Sequence, residues 1–102
     1  MYKMVVLYNT PTDPEHFRSY YEGKHLPLAS TLPGLKAWRY SFDTSTLGPP
    51  GTPAPYFCVF EGEWDSKADF EASVGSEIGG KVGADVPNYA SGGATILTYD
   101  VK

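Results

Sequence analysis

Two histidines and one cysteine are the residues of this 102-residue chain best suited to proton or nucleophile chemistry near neutral pH. His25 is the sharper candidate, because an imidazole titrates near neutrality and can take or give a proton at a substrate carbon or hydroxyl. It shares a helical face with Phe17, Tyr21, Lys24, Leu28 and Leu32, which recur at spacings of three and four. A histidine so placed can also do no more than cap free carbonyls at a helix break, and periodicity alone leaves both roles open. His16 falls off that face, in a first helical turn whose dipole disfavours a protonated ring, and reads as a solvated surface residue. Glu22 and His25 form an E-x-x-H step of the kind carboxylate bundles use for iron, but such sites need a second copy that this chain lacks, so no metal site is expected. Tyr8, Tyr21, Trp38 and Tyr40 can line a cavity and hold a planar ligand, the phenols bonding a carbonyl or hydroxyl, although such rings serve equally as core or dimer packing. Cys58 falls on the inward phase of a strand, where free cysteines usually behave as small apolar residues, and it joins these four as a candidate pocket-lining side chain.

Common cofactor and hydrolase signatures are missing. Gly79, Gly80 and Gly83 do not follow the strand, G-x-G-x-x-G, helix order of a dinucleotide loop, and neither a G-x-S-x-G elbow nor a P-loop occurs. No cofactor is therefore expected.

The elements that must position His25 can be read from period and punctuation. Residues 2 to 9 are β-branched and aromatic on both alternating faces and predict a strand covered on both sides. A helix begins after it, with Thr12 and Glu15 as a capping box or with Asp13 as the cap and Pro14 at the first helical position. Pro27 has no N–H for the carbonyl of Gly23, so the helix is expected to end or kink near residues 23 to 26, leaving unpaired backbone beside His25. After the turn at Leu32 to Gly34, the run LKAWRYSFD alternates as a second strand with Trp38, Tyr40 and Phe42 on one side. Residues 44 to 55, rich in proline and glycine, predict a semi-rigid excursion at one edge of the fold. Residues 56 to 64 read as a third strand, and Asp65 or Ser66 caps a second helix that turns Phe70 and Val74 toward the sheet. The glycine-rich residues 75 to 84 predict a weak or broken helix ended by Pro87, and residues 94 to 101 predict strand four.

This order is β-α-β-β-α-β, an α+β ferredoxin-like motif with an antiparallel four-stranded sheet and helices on one face. The other face carries too many apolar residues in the sequence to sit in water, and pairing two such sheets about a two-fold axis would cover both, which predicts a homodimer. A length of 102 residues leaves no room for a second domain. The formal charge of −4 with scattered lysines and arginines excludes a phosphate-tracking surface, so nucleic acid is not an expected partner. A lone cysteine and an N-terminal apolar run too short for a signal peptide or membrane span predict a cytoplasmic protein with no membrane partner.

The stretch FRSYYEGKHLPLASTLPGLKAWRYSF, with Tyr20, Tyr21, His25, Pro27, Leu28, Ala29 and the turn at Leu32 to Leu35, resembles the EthD family, named for ethyl tert-butyl ether degradation, within the dimeric α/β-barrel superfamily. The later DVPNY, Asp85 to Tyr89, resembles it too, so the likeness covers nearly the whole chain. The resemblance implies a single domain over residues 1–102 forming half of a dimeric barrel, with His25 pointing into a pocket between helices and sheet. Similar barrels include lactone isomerases, polyketide cyclases, cofactor-independent monooxygenases and haem-degrading enzymes. The expected function is accordingly a cofactor-independent isomerase, cyclase or oxidoreductase-like enzyme that uses His25 as general acid/base on a small apolar or aromatic oxygenated molecule. The alternatives are a non-catalytic small-molecule binder or accessory protein of a degradation pathway and, more weakly, a haem-binding barrel. The proline-rich residues 44 to 55 depart from the common family core.

Overall fold

The computed structural model describes residues 1–102. Strand β1 (Tyr2–Tyr8) runs between β3 (Cys58–Trp64) and β4 (Ala94–Asp100), and β2 (Ala37–Ser41) lies outside β3, giving the order β2-β3-β1-β4. All pairings are antiparallel. This is the ferredoxin-like α+β arrangement expected from the sequence. Because side chains alternate along a strand, the register that sets Tyr2 against Trp64, Val6 against Phe60 and Tyr8 against Cys58 turns all six toward the helices.

The first helical stretch starts as α1 (Pro14–Tyr20), where the Asp13 carboxylate accepts from the His16 N–H; the Thr12 hydroxyl is drawn to Ser91 instead, so the capping-box alternative is not used. The helix does not end before Pro27; its irregularity takes another form. Residues Tyr21–His25 form a π-helical turn, in which the Leu26 N–H reaches back to the Tyr21 carbonyl, and α2 (Leu26–Ala29) carries Pro27 in its first turn. Widening the turn by one residue absorbs the missing N–H of proline without breaking the rod. It also corrects the predicted face. Four-residue steps drift by roughly 40° each around an ordinary α-helix, yet the wide turn keeps Phe17, Tyr21, His25 and Ala29 all buried, while Lys24 is exposed.

In the second half, Ser66 caps α3 (Lys67–Val74) and Ser76 caps α4 (Glu77–Asp85), each hydroxyl accepting an N–H at 3.1 Å. The glycine-rich segment is thus broken at Gly75 and Ser76, as expected, and helical from Glu77, followed by a short 3₁₀ turn at Val86–Asn88. Phe70 packs on Tyr2 and Trp64, as expected for the sheet side of α3, but Val74 is exposed and Ser73 is buried in its stead. Gly34, at φ 73°, gives the left-handed turn that seats the Pro33 carbonyl on the Trp64 indole N–H at 3.1 Å.

The core is a knot of rings. Phe17 is fully buried, with the rings of Phe57, Tyr89, Tyr8 and Tyr21 centred 5.0–5.3 Å away. Residues 44–55 form no regular element. Their roots are held by Arg18, whose guanidinium covers the Phe57 ring at 4.9 Å and the Phe42 ring at 5.7 Å, and by a hydrogen bond from the Thr44 hydroxyl to the Tyr56 carbonyl.

The sheet face away from the helices is only partly apolar. It runs from Leu7 and Val59 through Val5 and Leu97 to a charged quartet, in which Lys3 Nζ is 3.2 Å from both Glu61 and Glu63, and Arg39 is 3.9 Å from Glu63. Every residue of β4 is exposed. No helix is long and apolar enough to cross a membrane.

Candidate functional site

His25 emerges from the π turn with 4% of its surface exposed. Its Nδ1–H donates to Asp85 Oδ2 at 2.9 Å, across 60 residues of sequence. Asp85, the last residue of α4, is fixed in turn: its Oδ1 accepts from the Tyr20 hydroxyl at 2.6 Å and from the Asn88 amide at 2.9 Å. Burial works against the ionised form of Asp85, but these donors together outweigh it and hold the carboxyl below its ordinary range. Burial is also the largest influence on His25 and lowers its pKa, more than the Asp85 carboxylate can raise it. At neutral pH the ring is therefore neutral, with its proton committed to Nδ1 and its Nε2 lone pair free.

His25 lines an apolar cavity of about 80 Å³. The floor is Met4, Val6 and Tyr8 of β1, Phe60 of β3, and Ala94 and Ile96 of β4; Ala29 and Leu32 close one side, and Val82 and Val86 close the other. His25 is the only strongly polar group on this wall, with the Tyr8 phenol its one companion capable of hydrogen bonding. The Tyr8 hydroxyl is 2.8 Å from that of Tyr89, and burial raises both phenol pKa values, so the pair remains protonated.

The sequence candidates divide. Tyr8 and His25 meet at the cavity. Tyr21 lies behind it, fully buried and stacked on the imidazole at 5.4 Å between centroids; its hydroxyl has no hydrogen-bond partner, although Tyr8 and Cys58 are its polar neighbours. Trp38 and Tyr40 border a separate open groove with Glu22, Leu26, Pro27 and Ser30, and the Tyr40 hydroxyl donates to Glu22 at 2.5 Å. Their strand lies beyond β3, on the far side of the sheet from β4, which removes them from the imidazole's reach. Cys58 is sealed in the core, where burial pushes its thiol up to about 12. Its alkylation by iodoacetamide at pH 8 should be at least ~100-fold slower in the folded protein than in urea, as read by mass spectrometry, because the thiolate is the reacting form. His16 is exposed, as expected, and donates from Nε2 to the Asn88 carbonyl at 3.0 Å.

Sequence reasoning missed Asp85, Tyr20, Asn88 and Tyr89 as site residues. Tyr89 lies 4.6 Å from the imidazole, centroid to centroid. The available signal was the DVPNY segment: its Asp85, Asn88 and Tyr89 all gather at His25, as does Tyr20 from the tyrosine pair.

A family model, the EthD domain, matches residues 9–93. An uncharacterised 11.0 kDa protein from the thcB-thcC intergenic region of Rhodococcus erythropolis is 34% identical over 100 residues, covering 98% of this chain and 94% of that protein. Among solved structures, an ethyl tert-butyl ether degradation (EthD) family protein of Bacillus halodurans superposes with a TM-score of 0.87 at 22% identity, over 100% of this chain and 99% of the other. The fold also matches a hydroxynitrile lyase of Passiflora edulis (TM-score 0.73, 17% identity, 99% and 93% covered). A dimeric ferredoxin-like protein of Thermobifida fusca matches with a TM-score of 0.63 at 14% identity, 98% and 90% covered.

Proposed function

The chain belongs to the EthD domain family, and from that membership and the geometry at His25 we propose that it is a cofactor-independent enzyme moving a proton within a small, largely apolar, oxygenated molecule. The observation that carries this reading is the Nδ1–H bond from His25, a residue lining an apolar cavity, to a carboxylate that three donors keep ionised, with no hydrogen bond made by Nε2. Nε2 takes a proton from an acidic C–H or O–H of the bound molecule, Asp85 stabilises the imidazolium so formed, and the same nitrogen returns the proton at another position. Such a cycle suits an isomerisation or cyclisation and consumes no redox partner. The protein acts as a homodimer in this reading, supported by the exposed β4 and the uncovered sheet face, on which the charged quartet is neutral in sum. A cavity of about 80 Å³ favours molecules of a few heavy atoms and argues against the haem reading, since cofactor pockets run to about 300–1,000 Å³.

Deuterium exchange tests the chemistry without a known substrate. In D₂O, the protein should speed label uptake into at least one of a panel of small enolisable ketones and aldehydes above the buffer rate, read by proton NMR. Stoichiometric binding with no exchange across the panel would instead favour the non-catalytic binder, for which the largely apolar lining of the cavity is the supporting feature.

Asp85→Asn separates positioning from mere support. It removes the charge that raises the His25 pKa and leaves one acceptor oxygen where two now serve His25, Tyr20 and Asn88, so the rate should fall about 10- to 100-fold, the worth of a hydrogen bond to a charged group. The acid limb of the pH profile should also move to lower pH, because the imidazole then protonates less readily. A purely structural role would lower the rate and leave that limb in place.

A further inference from the structure

The sheet has two free edges. β4 carries no proline or lysine, its register against β1 runs without a bulge, and every one of its residues is exposed, so nothing blunts it against pairing. β2 is free on its outer side as well. The exposed large apolar side chains gather on these edges: Trp38 on β2, Ile96, Leu97 and Tyr99 on β4, and Met1 and Val101 beside β4. Trp38 and Ile96 also share a side of the sheet. Residues paired across it run Tyr40, Phe60, Val6, Ile96, and Trp38 is two residues before Tyr40, so all of these turn toward the helices. On that side the exposed Ala94 and Ile96 leave the His25 cavity open to solvent along β4. At the opposite edge Trp38 stacks on Phe60, 6.3 Å between centroids, and keeps 39% of its surface bare.

Two such sheets, face to face about a two-fold axis, can join like edge to like edge or β2 to β4. Either leaves no edge unpaired. The first brings Arg39, the middle residue of β2, close to its own copy, a repulsion between like charges. The second sets β2 against β4, whose residues 95–99 carry no charge, and both seams are antiparallel because β2 and β4 run in opposite directions within each sheet. We propose that the dimer closes in this second way and that Trp38 of the partner subunit covers the mouth of the His25 cavity along β4. The helices lie outside such a barrel, and its outer surface runs unbroken from the helix side of β4 to that of the partner's β2. The indole therefore arrives beside Ile96, and each covers what the other leaves bare. The site is incomplete in one chain, and its open end is closed by an aromatic wall from the second copy. This inference rests on the homodimer of the preceding reading and not on its proton chemistry.

Cross-linking reads the seam. Chains carrying Trp38→Cys, mixed with chains carrying Ile96→Cys, should be joined by a short bismaleimide into a covalent dimer, while neither variant alone is joined. Within one chain the two positions lie on outer strands about 14 Å apart, and Cys58 is sealed in the core. Ile96→Cys chains joined to one another would show like-edge closure and overturn the proposal. A dimer without the mixed cross-link would overturn it too and leave the homodimer standing, whereas a chain that sediments as a monomer would end both. Diethyl pyrocarbonate, which modifies neutral imidazoles, reads the cover, with the exposed His16 as the reference. An isotope-labelled wild-type chain in an excess of Trp38→Ala/His25→Gln chains keeps its own Trp38 on Phe60 and loses only the partner's indole. Its His25 should be modified severalfold faster, relative to its His16, than in an excess of His25→Gln chains. Equal ratios in the two mixtures would overturn the cover.

Discussion

On the proposed mechanism, replacing His25 with alanine should lower turnover about 10²- to 10⁴-fold, the usual contribution of a positioned general acid/base, while circular dichroism stays that of the wild type. The fold should survive because the Asp85 carboxylate keeps its bonds from Tyr20 and Asn88 and because the lost ring sits at the cavity edge of the aromatic knot, against Tyr21 and Tyr89, while the rings around Phe17 keep their contacts with one another. The measurement is deuterium uptake into whichever ketone the wild type labels. Exchange at the wild-type rate in the variant would leave the imidazole without a chemical role. The wild-type profile carries its own sign. On the proposed mechanism neutral His25 is the active form, and its pKa is lowered, chiefly by burial, so activity should rise with pH along a limb below the 6.5 of a free imidazole and then stay flat until another group titrates. The same shifts act on stability. His25 and Asp85 both bind protons less readily folded than unfolded. Stability from His25 is therefore complete above pH 6.5 and falls as pH drops toward its folded pKa, with the Asp85 contribution lost at more acid pH. His25→Ala should remove the first of these steps and leave the second.

Phe17→Ala should be the most damaging substitution for the fold, at about 3–5 kcal/mol. Phe17 has no exposed surface and lies among the rings of Tyr8, Tyr21, Phe57 and Tyr89, which belong to four different segments. Truncation leaves a ring-sized void that none of these can fill without abandoning its edge or stacking contact with another. Against a total stability of about 5–15 kcal/mol for a domain of this size, the variant is expected to be partly unfolded at 37 °C. Urea unfolding should show a lower midpoint at an unchanged slope. A loss below about 1 kcal/mol would mean that the rings repack freely. Phe17→Leu, which keeps most of the volume, should cost less than half as much.

The strands were legible because alternation is a local property. Val6, Tyr8, Cys58 and Phe60 announce their inward phase within a few residues, and the register merely joins them. The imidazole was legible for a similar reason, lying four residues after Tyr21 on one helical face. Its partner was not. Asp85 is an ordinary acidic residue near a helix end until α4 folds and brings it across to His25, and nothing in its own neighbourhood states that distance. Pro27 misled in the opposite way: its local meaning is a break, but a π turn can meet the same constraint when the residues on either side have a core to bury. The four pocket candidates beyond Tyr8 were chosen for chemistry and inward phase. Phase distinguishes one face of a sheet from the other, but it does not tell one edge of that face from its opposite, and the cavity lies toward β4 while Trp38 and Tyr40 lie on β2.

The proline-rich excursion is anchored at its roots, where Arg18 spans Phe42 and Phe57 and the Phe57 N–H reaches the Tyr8 carbonyl at 2.8 Å, while Leu47 at its tip is fully in solvent. Such a loop can be lengthened at small entropic cost. It offers an attachment point: a fluorophore or a fused peptide grafted at residues 47–51 would be carried by the roots without loading the cavity beside His25, which makes the molecule traceable in solution.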